Sequence, residues 1–234
     1  MHPTAAPPWP ETTYRLDLPH PVPDELSWVA WEVFTRVWRT TVTQPGFAVV
    51  RFGGPLTSLE LRSVMIRLLE ALPERFLLER VGRFDQQVTS RFHRDGAPPA
   101  SLLLLGYEPS PVRSRVFVAD PYLAAMAAGL GVAEFLAAFN PMLPDGETRL
   151  WPFATELALG HNEPCLVLIN NSLVPNPVDG QHPLGLLHKA ELPAPDPTAQ
   201  RVINSLGLIP ASHLGGSHVS ATAVTHFLTR LDLD

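Results

Sequence analysis

The stretch Gln87-Val-Thr-Ser-Arg-Phe-His-Arg-Asp-Gly96 carries a histidine, His93, and an aspartate, Asp95, that are separated by one residue. On an extended strand, side chains alternate between the two faces, so these two side chains project to the same side about 6.5 Å apart along the backbone. A neutral imidazole and a carboxylate placed in this way are two of the three ligands in the 2-His-1-carboxylate set that holds non-haem Fe(II). With 9 histidines in 234 residues, the pair needs a third ligand before it indicates a site.

The residues around this pair alternate as expected of a strand with one polar face. The polar side carries Gln87, Thr89, Arg91, His93 and Asp95. The opposite side carries Val88, Ser90 and Phe92. The pattern suits a metal-binding face, and it also suits a surface strand whose polar face is solvated.

The best candidate for the third ligand lies in Leu184-Gly-Leu-Leu-His-Lys-Ala-Glu-Leu192, which is typical of a strand. Alternation places His188 on the apolar face of this strand, together with Leu184, Leu186, Ala190 and Leu192. A histidine on an apolar face is either a core residue with satisfied hydrogen bonds or a metal ligand. The sequence leaves both roles open for His188.

A basic residue follows in Arg201-Val-Ile-Asn-Ser-Leu-Gly-Leu-Ile209, where alternation puts Arg201 on the same face as Ile203, Ser205 and Gly207. A guanidinium that points into an apolar sheet interior is costly unless it meets a carboxylate, which it can hold with two parallel hydrogen bonds. An organic acid can supply that carboxylate. The alternatives are an internal ion pair and an exposed edge position.

The composition, with 45% hydrophobic and 17% charged residues, predicts a globular chain that forms one domain over residues 1–234. No apolar run reaches the length of a membrane span, and the first residues lack the pattern of a secretory signal, so we expect a cytoplasmic protein with no membrane partner. The net charge of −6 argues against nucleic acid as a partner. The single cysteine, Cys165, is predicted to be buried and inert.

The chain divides into segments by composition. Seven of the 26 prolines precede Glu25, which predicts an extended arm over 1–23. Over 24–80 we expect a helix capped by Asp24, a strand over 46–52, and a second helix that ends near Leu72 and opens with a capping box of Thr57 and Glu60. The first helix is predicted to have one apolar stripe, formed by Trp28, Trp31, Phe34, Val37 and Trp38.

Residues 86–209 are predicted to form a β-rich core, and residues 220–231 a C-terminal helix. Strand-like runs lie near 86–93, 101–107, 114–119, 165–170, 184–192 and 201–209. Helical patterns near 121–139 are broken at Gly129-Leu130-Gly131. This order predicts an α+β chain with a β-sandwich or barrel. The sequence contains no glycine-rich phosphate-binding motif, so it does not predict a nucleotide site.

The order His93-x-Asp95, then His188, then Arg201 resembles the Fe(II)- and 2-oxoglutarate-dependent oxygenases. The resemblance covers about residues 86–209 and implies a double-stranded β-helix (jelly roll, cupin-like) core with N-terminal helices packed on it. It implies that His93, Asp95 and His188 bind Fe(II) and that Arg201 binds the distal carboxylate of the co-substrate 2-oxoglutarate. The implied activity is that of a dioxygenase, which hydroxylates a small-molecule or peptide substrate that the sequence does not identify.

The chain departs from the family at one position. Many members have Ser or Thr two residues after the anchoring arginine, whereas this chain has Ile203 there and Ser205 four residues after it. Ser205 and Tyr107 are therefore the candidates for additional contacts to 2-oxoglutarate, and Asn170 or Asn171 are further polar candidates. Arg91 and the segment 107–115 are candidates for substrate contact.

Other histidines offer rival sites. His161-Asn-Glu163 has the same spacing as the first pair but lies in a loop pattern beside Gly160 and Pro164. His182 lies in a turn, and His213 and His218 flank two glycines without the rest of a zinc set. A different class of function also stays open, a cupin-like protein that binds a metal or ligand without oxygenase turnover. The oligomeric state is open.

Overall fold

A computed structural model describes residues 9–174, 183–212 and 218–234 of the chain, which form seven α-helices and nine β-strands within these ranges. The helices are α1 (Glu11–Tyr14), α2 (Ser27–Val37), α3 (Ser58–Glu70), α4 (Pro121–Ala128), α5 (Val132–Ala138), α6 (Pro144–Leu150) and α7 (Ala221–Thr229). The strands are β1 (Arg15–Leu18), β2 (Phe47–Phe52), β3 (Phe76–Asp85), β4 (Leu102–Tyr107), β5 (Arg115–Ala119), β6 (Ala154–Glu156), β7 (Cys165–Asn170), β8 (Leu187–Glu191) and β9 (Val202–Pro210).

The strands form two sheets. The main sheet has six strands in the order β1-β2-β7-β4-β9-β3, and the second sheet has three in the order β6-β5-β8. All neighbours pair antiparallel except β1 and β2, which are parallel. The α+β class predicted from the sequence is confirmed.

Three apolar clusters arrange these elements in layers, as the alternation of side chains on each strand requires. On β4, Leu102 and Leu104 pack against helices α2, α3 and α7, whereas Leu103 and Leu105 face the second sheet. On β5, Val116 and Val118 face the main sheet, and Phe117 and Ala119 pack under helices α4 to α6. Both sheets are therefore buried on both faces, with an apolar layer between them.

Helix α3 confirms the predicted capping box, because Thr57 Oγ1 accepts from the backbone N–H of Glu60 while the Glu60 carboxylate accepts from the backbone N–H of Thr57. Helix α2 corrects two predictions. It begins after Leu26 without a side-chain cap, so Asp24 is not its cap. Trp28 and Trp31 are 49% and 57% exposed. The fully buried residues of α2 are Val29, Ala30, Val33 and Val37, and the predicted Phe34 and Trp38 pack, partly buried, against the same cluster.

The predicted proline-rich arm contains regular structure. Within residues 9–23, helix α1 is followed by β1, which adds to the edge of the main sheet with Arg15 opposite Val49 and Leu18 opposite Phe52. The prolines of the described part flank these elements and do not interrupt them. Residues 1–8 lie outside the described ranges.

Residues 86–93 do not form the predicted strand. The segment has one isolated β-bridge, at His93. The long strand lies earlier, as β3, and pairs with β9. The segment after β3 runs beside β8 but contacts its backbone only at intervals. Between the contacts, the hydroxyl oxygens of Thr89 and Ser90 accept from the backbone N–H groups of Leu192 and Ala190. Side-chain acceptors therefore replace part of the ladder that a strand would make.

Helices α4 and α5 are separated at the predicted break, where Gly129 caps α4 in the left-handed conformation with φ of +69°. Within the described chain, no single helix has both the length and the apolar character needed to cross a bilayer. Helices α4 and α5 reach that composition only as a pair bent by 88°. Helix α6 and strand β6, which follow this pair, were not predicted from the sequence.

A buried ion pair joins the helical layer on the main sheet to the second sheet. Arg39, in the loop after α2, is fully buried and places Nη1 2.6 Å from Oδ2 of Asp120. Its Nε donates to the carbonyl of Leu184, just before β8. Oδ1 of Asp120 accepts from the backbone N–H groups of Tyr122 and Leu123 and so caps α4. One carboxylate thus fixes both the start of α4 and the position of the arginine.

We predict that Asp120→Ala lowers the free energy of unfolding by about 3–5 kcal/mol, because it leaves the Arg39 guanidinium buried without its carboxylate. Asp120→Asn keeps an oxygen that can cap α4, so it should be less destabilising than Asp120→Ala by about 1 kcal/mol. Urea denaturation of the three proteins measures both differences. A loss below 1 kcal/mol for the alanine variant would contradict the structural importance of this pair.

Candidate metal centre

His93, Asp95 and His188 converge between the two sheets, and one ligand atom from each lies within 4.8 Å of the other two. Oδ1 of Asp95 is 3.5 Å from Nε2 of His93 and 3.8 Å from Nε2 of His188. The two imidazole rings lie 4.3 Å apart between centroids. Metal–ligand bonds of about 2.0–2.2 Å place neighbouring ligand atoms about 3 Å apart. The two distances from Asp95 would each have to shorten by less than about 1 Å for the carboxylate and either imidazole to share one ion.

The convergence follows from the backbone. The N–H of His93 donates to the carbonyl of His188 over 3.0 Å, and the N–H of His188 donates to the carbonyl of His93 over 2.8 Å. Residues that exchange both hydrogen bonds face each other directly across an antiparallel pair, so their side chains emerge on the same face. His188 also lies opposite Val118 of β5, on the inner face of the second sheet. This position matches the apolar face predicted from the sequence.

Side chains hold the segment from Arg91 to Ala97 in place of a continuous ladder. Phe92 is fully buried under helices α4 to α6, on the side opposite to His93. The guanidinium of Arg94 donates to the carbonyls of Ala97 and Asn171. The side-chain amide of Asn171 donates in turn to the backbone carbonyl of Asp95 over 3.3 Å. Asn171, a polar candidate of the sequence analysis, therefore positions the Asp95 backbone.

Arg91 does not lie on the ligand face, which corrects the prediction from simple alternation. Its guanidinium pairs with Glu147 of α6, on the outer side of the second sheet. Glu147 also pairs with Lys189, which is buried next to His188 in sequence but points to the opposite face. The ammonium of Lys189 lies 4.8 Å from the ring centroid of Trp151. Arg91 lies on the face opposite to the ligands because the segment is not a regular strand and because Glu147 provides a buried acceptor there.

The three groups have distinct electrostatic environments. Burial, together with the charge of His93, lowers the pKa of His188 to about 4, so its imidazole is neutral at pH 7. A hydrogen bond with Asp95 raises the pKa of His93. Burial acts to raise the pKa of Asp95, but the hydrogen bond from His93 and the charge of Arg80 lower it to about 2. A carboxylate and a neutral imidazole are the forms that bind a metal, and a bound cation would replace the proton that His93 shares with Asp95.

The ring nitrogens of the two histidines also fit a ligand role. Nδ1 of His93 lies 2.7 Å from the carbonyl oxygen of Arg91 and donates to it, which directs Nε2 toward Asp95. Nδ1 of His188 is buried and has no hydrogen-bond partner among the described residues. Among the described residues, His188 thus lacks the hydrogen bond that the alternative of a satisfied core histidine requires. The donor set fits a divalent cation.

The triad lines one side of a cavity of about 130 Å³ between the sheets. Tyr107 and Ile203 also line it, together with the polar residues Gln86 and Ser90. Tyr107 is buried, and burial raises the pKa of its hydroxyl to about 12. The Tyr107 hydroxyl is therefore protonated at neutral pH and can donate a hydrogen bond.

Arg201 is only 3% exposed and lies next to this cavity. Its Nη1 donates to the side-chain oxygen of Gln86, and its guanidinium carbon lies 4.9 Å from the centroid of the Tyr107 ring. Its Nη2 is buried without a hydrogen-bond partner among the described residues. Arg201 lines a second, larger cavity of about 720 Å³, and Tyr107 lines both cavities. The arginine and the triad are thus on two sides of one tyrosine.

The neighbours of Arg201 on β9 lie on the predicted face. Ile203 packs in the apolar layer between the sheets and lines the triad cavity. Ser205 is buried opposite Leu105 and lines neither of the two cavities. In the position where the family carries a hydroxyl, the cavity wall is therefore apolar.

The rival histidine pair does not form a second site in the described chain. His161 is exposed at the rim of the larger cavity, whereas Glu163 pairs with Arg51 at the surface. His218 lies near Val219 beside β3, away from the triad. His182 and His213 lie outside the described residues. Within the described ranges, the triad is the one group of three or more potential ligands that meets the distance requirement.

The sequence did not predict that Arg80 contacts a residue of the triad. Its Nη2 lies 3.0 Å from Oδ2 of Asp95, the carboxylate oxygen that does not face the histidines. Regular alternation from Phe76 and Leu78, which pack against the helices, would put Arg80 on the helix side of β3. The sequence carries one signal of this change. The apolar residues on the helix side are at even positions at Phe76 and Leu78, but the next one, Val81, is at an odd position.

Comparison with known proteins does not assign the chain to a family. No protein-family profile matches it, and no curated protein sequence matches it. The case for a metal centre therefore depends on the geometry of His93, Asp95 and His188 in this chain.

We predict that a divalent cation such as Mn(II) stabilises the folded protein through this centre. A cation at 100 times its dissociation constant should raise the free energy of unfolding by about 2.7 kcal/mol, since it binds the folded chain preferentially. His93→Ala and His188→Ala should lose most of this gain. His161→Ala is the matched control and should keep it. Thermal denaturation with and without Mn(II) gives the comparison, and equal stabilisation of all four proteins would contradict the assignment.

We also predict that Cys165 is unreactive in the folded protein. It is 1% exposed at the end of β7 that faces the larger cavity, and burial raises the pKa of its thiol to about 12. A disulfide reagent at pH 8 should therefore not modify the native chain, whereas in urea it should titrate one thiol. Rapid modification under native conditions would show that this part of the cavity opens to solvent.

Proposed function

We propose that the chain is an Fe(II)- and 2-oxoglutarate-dependent oxygenase that hydroxylates an unidentified small molecule or peptide. The observation that carries the proposal is the convergence of His93, Asp95 and His188 beside a cavity. Two imidazoles and one carboxylate would leave coordination positions of a bound ion free for other ligands. The resemblance in ligand order to the oxygenase family supports iron as the metal.

We further propose that the two facing sheets form the double-stranded β-helix of that family. The ligands lie between the sheets, with His188 on the second sheet and His93 bridged to it. The helices α2 and α3 pack on the outer face of the main sheet, as the family arrangement requires. These features support the finer description of the fold.

Arg201 is the proposed anchor for the distal carboxylate of 2-oxoglutarate. Its buried Nη2 has no acceptor among the described residues, and a carboxylate would provide one. Tyr107 stands between Arg201 and the triad and keeps its proton at neutral pH, so it can donate to the same acid. A co-substrate held by Arg201 would therefore reach the metal past Tyr107.

Bound Fe(II) and 2-oxoglutarate supply the oxidation: a C–H group, oxygen and 2-oxoglutarate give an alcohol, succinate and carbon dioxide. The chain's own residues bind and orient. His93, Asp95 and His188 hold the ion, and Arg201 with Tyr107 would orient the acid. The apolar wall at Ile203 and Leu105 limits water near the reacting groups. Arg113 and Arg115 stay candidates for substrate contact, because both line the larger cavity next to Tyr107.

One observation favours the alternative of a cupin-like binding protein without turnover. Arg201 does not line the triad cavity, and Ile203 replaces the hydroxyl residue of the family. If Tyr107 keeps its position when a metal binds, the acid and the metal would occupy separate cavities. The chain would then bind both without coupling them.

Anaerobic titration with Fe(II) and then 2-oxoglutarate separates the two functions. For the oxygenase we expect a visible charge-transfer band when 2-oxoglutarate chelates the iron, and succinate release when oxygen is admitted. His93→Ala should abolish the band. Arg201→Gln should weaken 2-oxoglutarate binding about 10–150-fold, because a hydrogen-bonded charge contributes about 1.5–3 kcal/mol.

His161→Ala serves as the control histidine variant and should retain the band. Metal binding that does not respond to 2-oxoglutarate would favour the binding protein over the oxygenase. Failure of the wild-type chain to bind Fe(II) would contradict the oxygenase.

A further inference from the structure

We propose that Arg80 is a positioning residue for the metal ligand Asp95, and that a β-bulge at Glu79 exists to aim it there. The inference rests on the proposed metal centre and adds a residue that the ligand motif does not contain. It concerns the way in which Asp95 binds a cation, through one oxygen or through two.

The two oxygens of Asp95 have separate partners. Oδ1 faces Nε2 of both histidines, at 3.5 and 3.8 Å, whereas Oδ2 accepts from Nη2 of Arg80 at 3.0 Å. The backbone carbonyl of Asp95 is held independently by Asn171. With both ends of the residue fixed, the carboxylate cannot easily rotate to present Oδ2 to an ion between the histidines. Arg80 therefore favours a ligand that binds through Oδ1 alone.

The backbone of β3 explains how Arg80 reaches Asp95. Leu78 lies opposite Leu208 of β9, but Arg80 lies opposite Gly207, so Glu79 is an extra residue in the ladder. An extra residue moves every later side chain to the other face of the strand. Before the bulge, Phe76 and Leu78 face the helices; after it, Phe84 lines the triad cavity. Without the bulge, the Arg80 side chain would project toward the helical layer.

Gly207 lies opposite the bulge and gives it room. A Cβ atom at this position would lie 3.2 Å from Oε2 of Glu79 and 3.3 Å from Cβ of Arg80. These neighbours would have to shift by a few tenths of an ångström to accept a side chain there. The glycine thus leaves space for the extra residue and the redirected arginine. Position 207 belongs to the same strand face as Arg201 and Ile203.

The sign of the effect on metal affinity distinguishes this role from a simple ion pair. A guanidinium near the ion repels it, so an arginine that contributed only charge would weaken metal binding, and its removal would strengthen it. A partner that orients a ligand has the opposite effect, and its loss lowers metal affinity about 10–100-fold. Arg80 is 42% exposed, so removal of its side chain leaves no buried cavity.

The test is a Co(II) titration of the full chain, followed by visible absorption, for wild type, Arg80→Met and Arg80→Lys. We expect the methionine variant to bind Co(II) about 10–100-fold more weakly than wild type. Its saturated spectrum should also change intensity, because Asp95 becomes free to bind through both oxygens. Arg80→Lys should recover part of the affinity, since it keeps a donor that can reach Oδ2.

Arg15→Met is the matched control, because Arg15 is 31% exposed, pairs with Glu11 and Asp17, and lies on β1, at the edge of the main sheet opposite to β3. It should bind Co(II) like wild type. Unchanged or tighter binding by Arg80→Met, with unfolding midpoints equal to wild type without metal, would overturn the role of Arg80 and leave the metal centre intact. If wild type itself shows no Co(II) spectrum, the metal centre fails, and the role of Arg80 fails with it.

Discussion

Two backbone hydrogen bonds between His93 and His188 determine the arrangement of the whole candidate site. A residue pair that exchanges both bonds holds its Cα atoms about 5.5 Å apart and directs both side chains to one face. The imidazoles therefore meet on the inner side of the second sheet, although 94 intervening residues separate them in the chain. Asp95 follows at the next position on that face, and Phe92 and Lys189 are directed to the outer face. A shift of one residue in this pairing would separate the ligands.

Charged side chains stabilise this single bridge from both faces of the second sheet. On the outer face, Glu147 accepts from Arg91 and from the buried Lys189. Burial alone lowers the pKa of Lys189, but its hydrogen bonds to Glu147 and Glu191 raise the value overall, so the ammonium stays charged. On the inner face, Arg80 accompanies Asp95. Buried charges are costly unless they are paired, and here the pairs occur where the backbone ladder is interrupted.

Tyr107 lines both the cavity of the candidate metal centre and the larger cavity of the interior. Its ring lies beside Arg201, which lines the larger cavity. A buried guanidinium N–H without an acceptor costs about 1–3 kcal/mol, and this cost is offset when an acceptor binds. If the chain binds a metal and an acid as proposed, the position of the Tyr107 side chain would determine whether the two ligands share one cavity.

Local patterns in the sequence determined much of this protein. Alternation placed His188 and Arg201 on inward faces, the Thr57 and Glu60 pair located the start of α3, and most strands were recognised, because each of these signals arises from neighbouring residues. The prediction that Trp28 and Trp31 belong to the packed stripe of α2 was wrong, because helical spacing alone does not reveal which face of a helix meets a sheet. Only the tertiary structure decided the remaining features: the isolated bridge at His93, the Arg91 side chain on the outer face, and Arg80 beside Asp95. Each depends on a partner distant in the chain, which leaves no periodic trace in the sequence, or on an extra residue in a ladder, whose only trace is the shift of the apolar pattern at Val81.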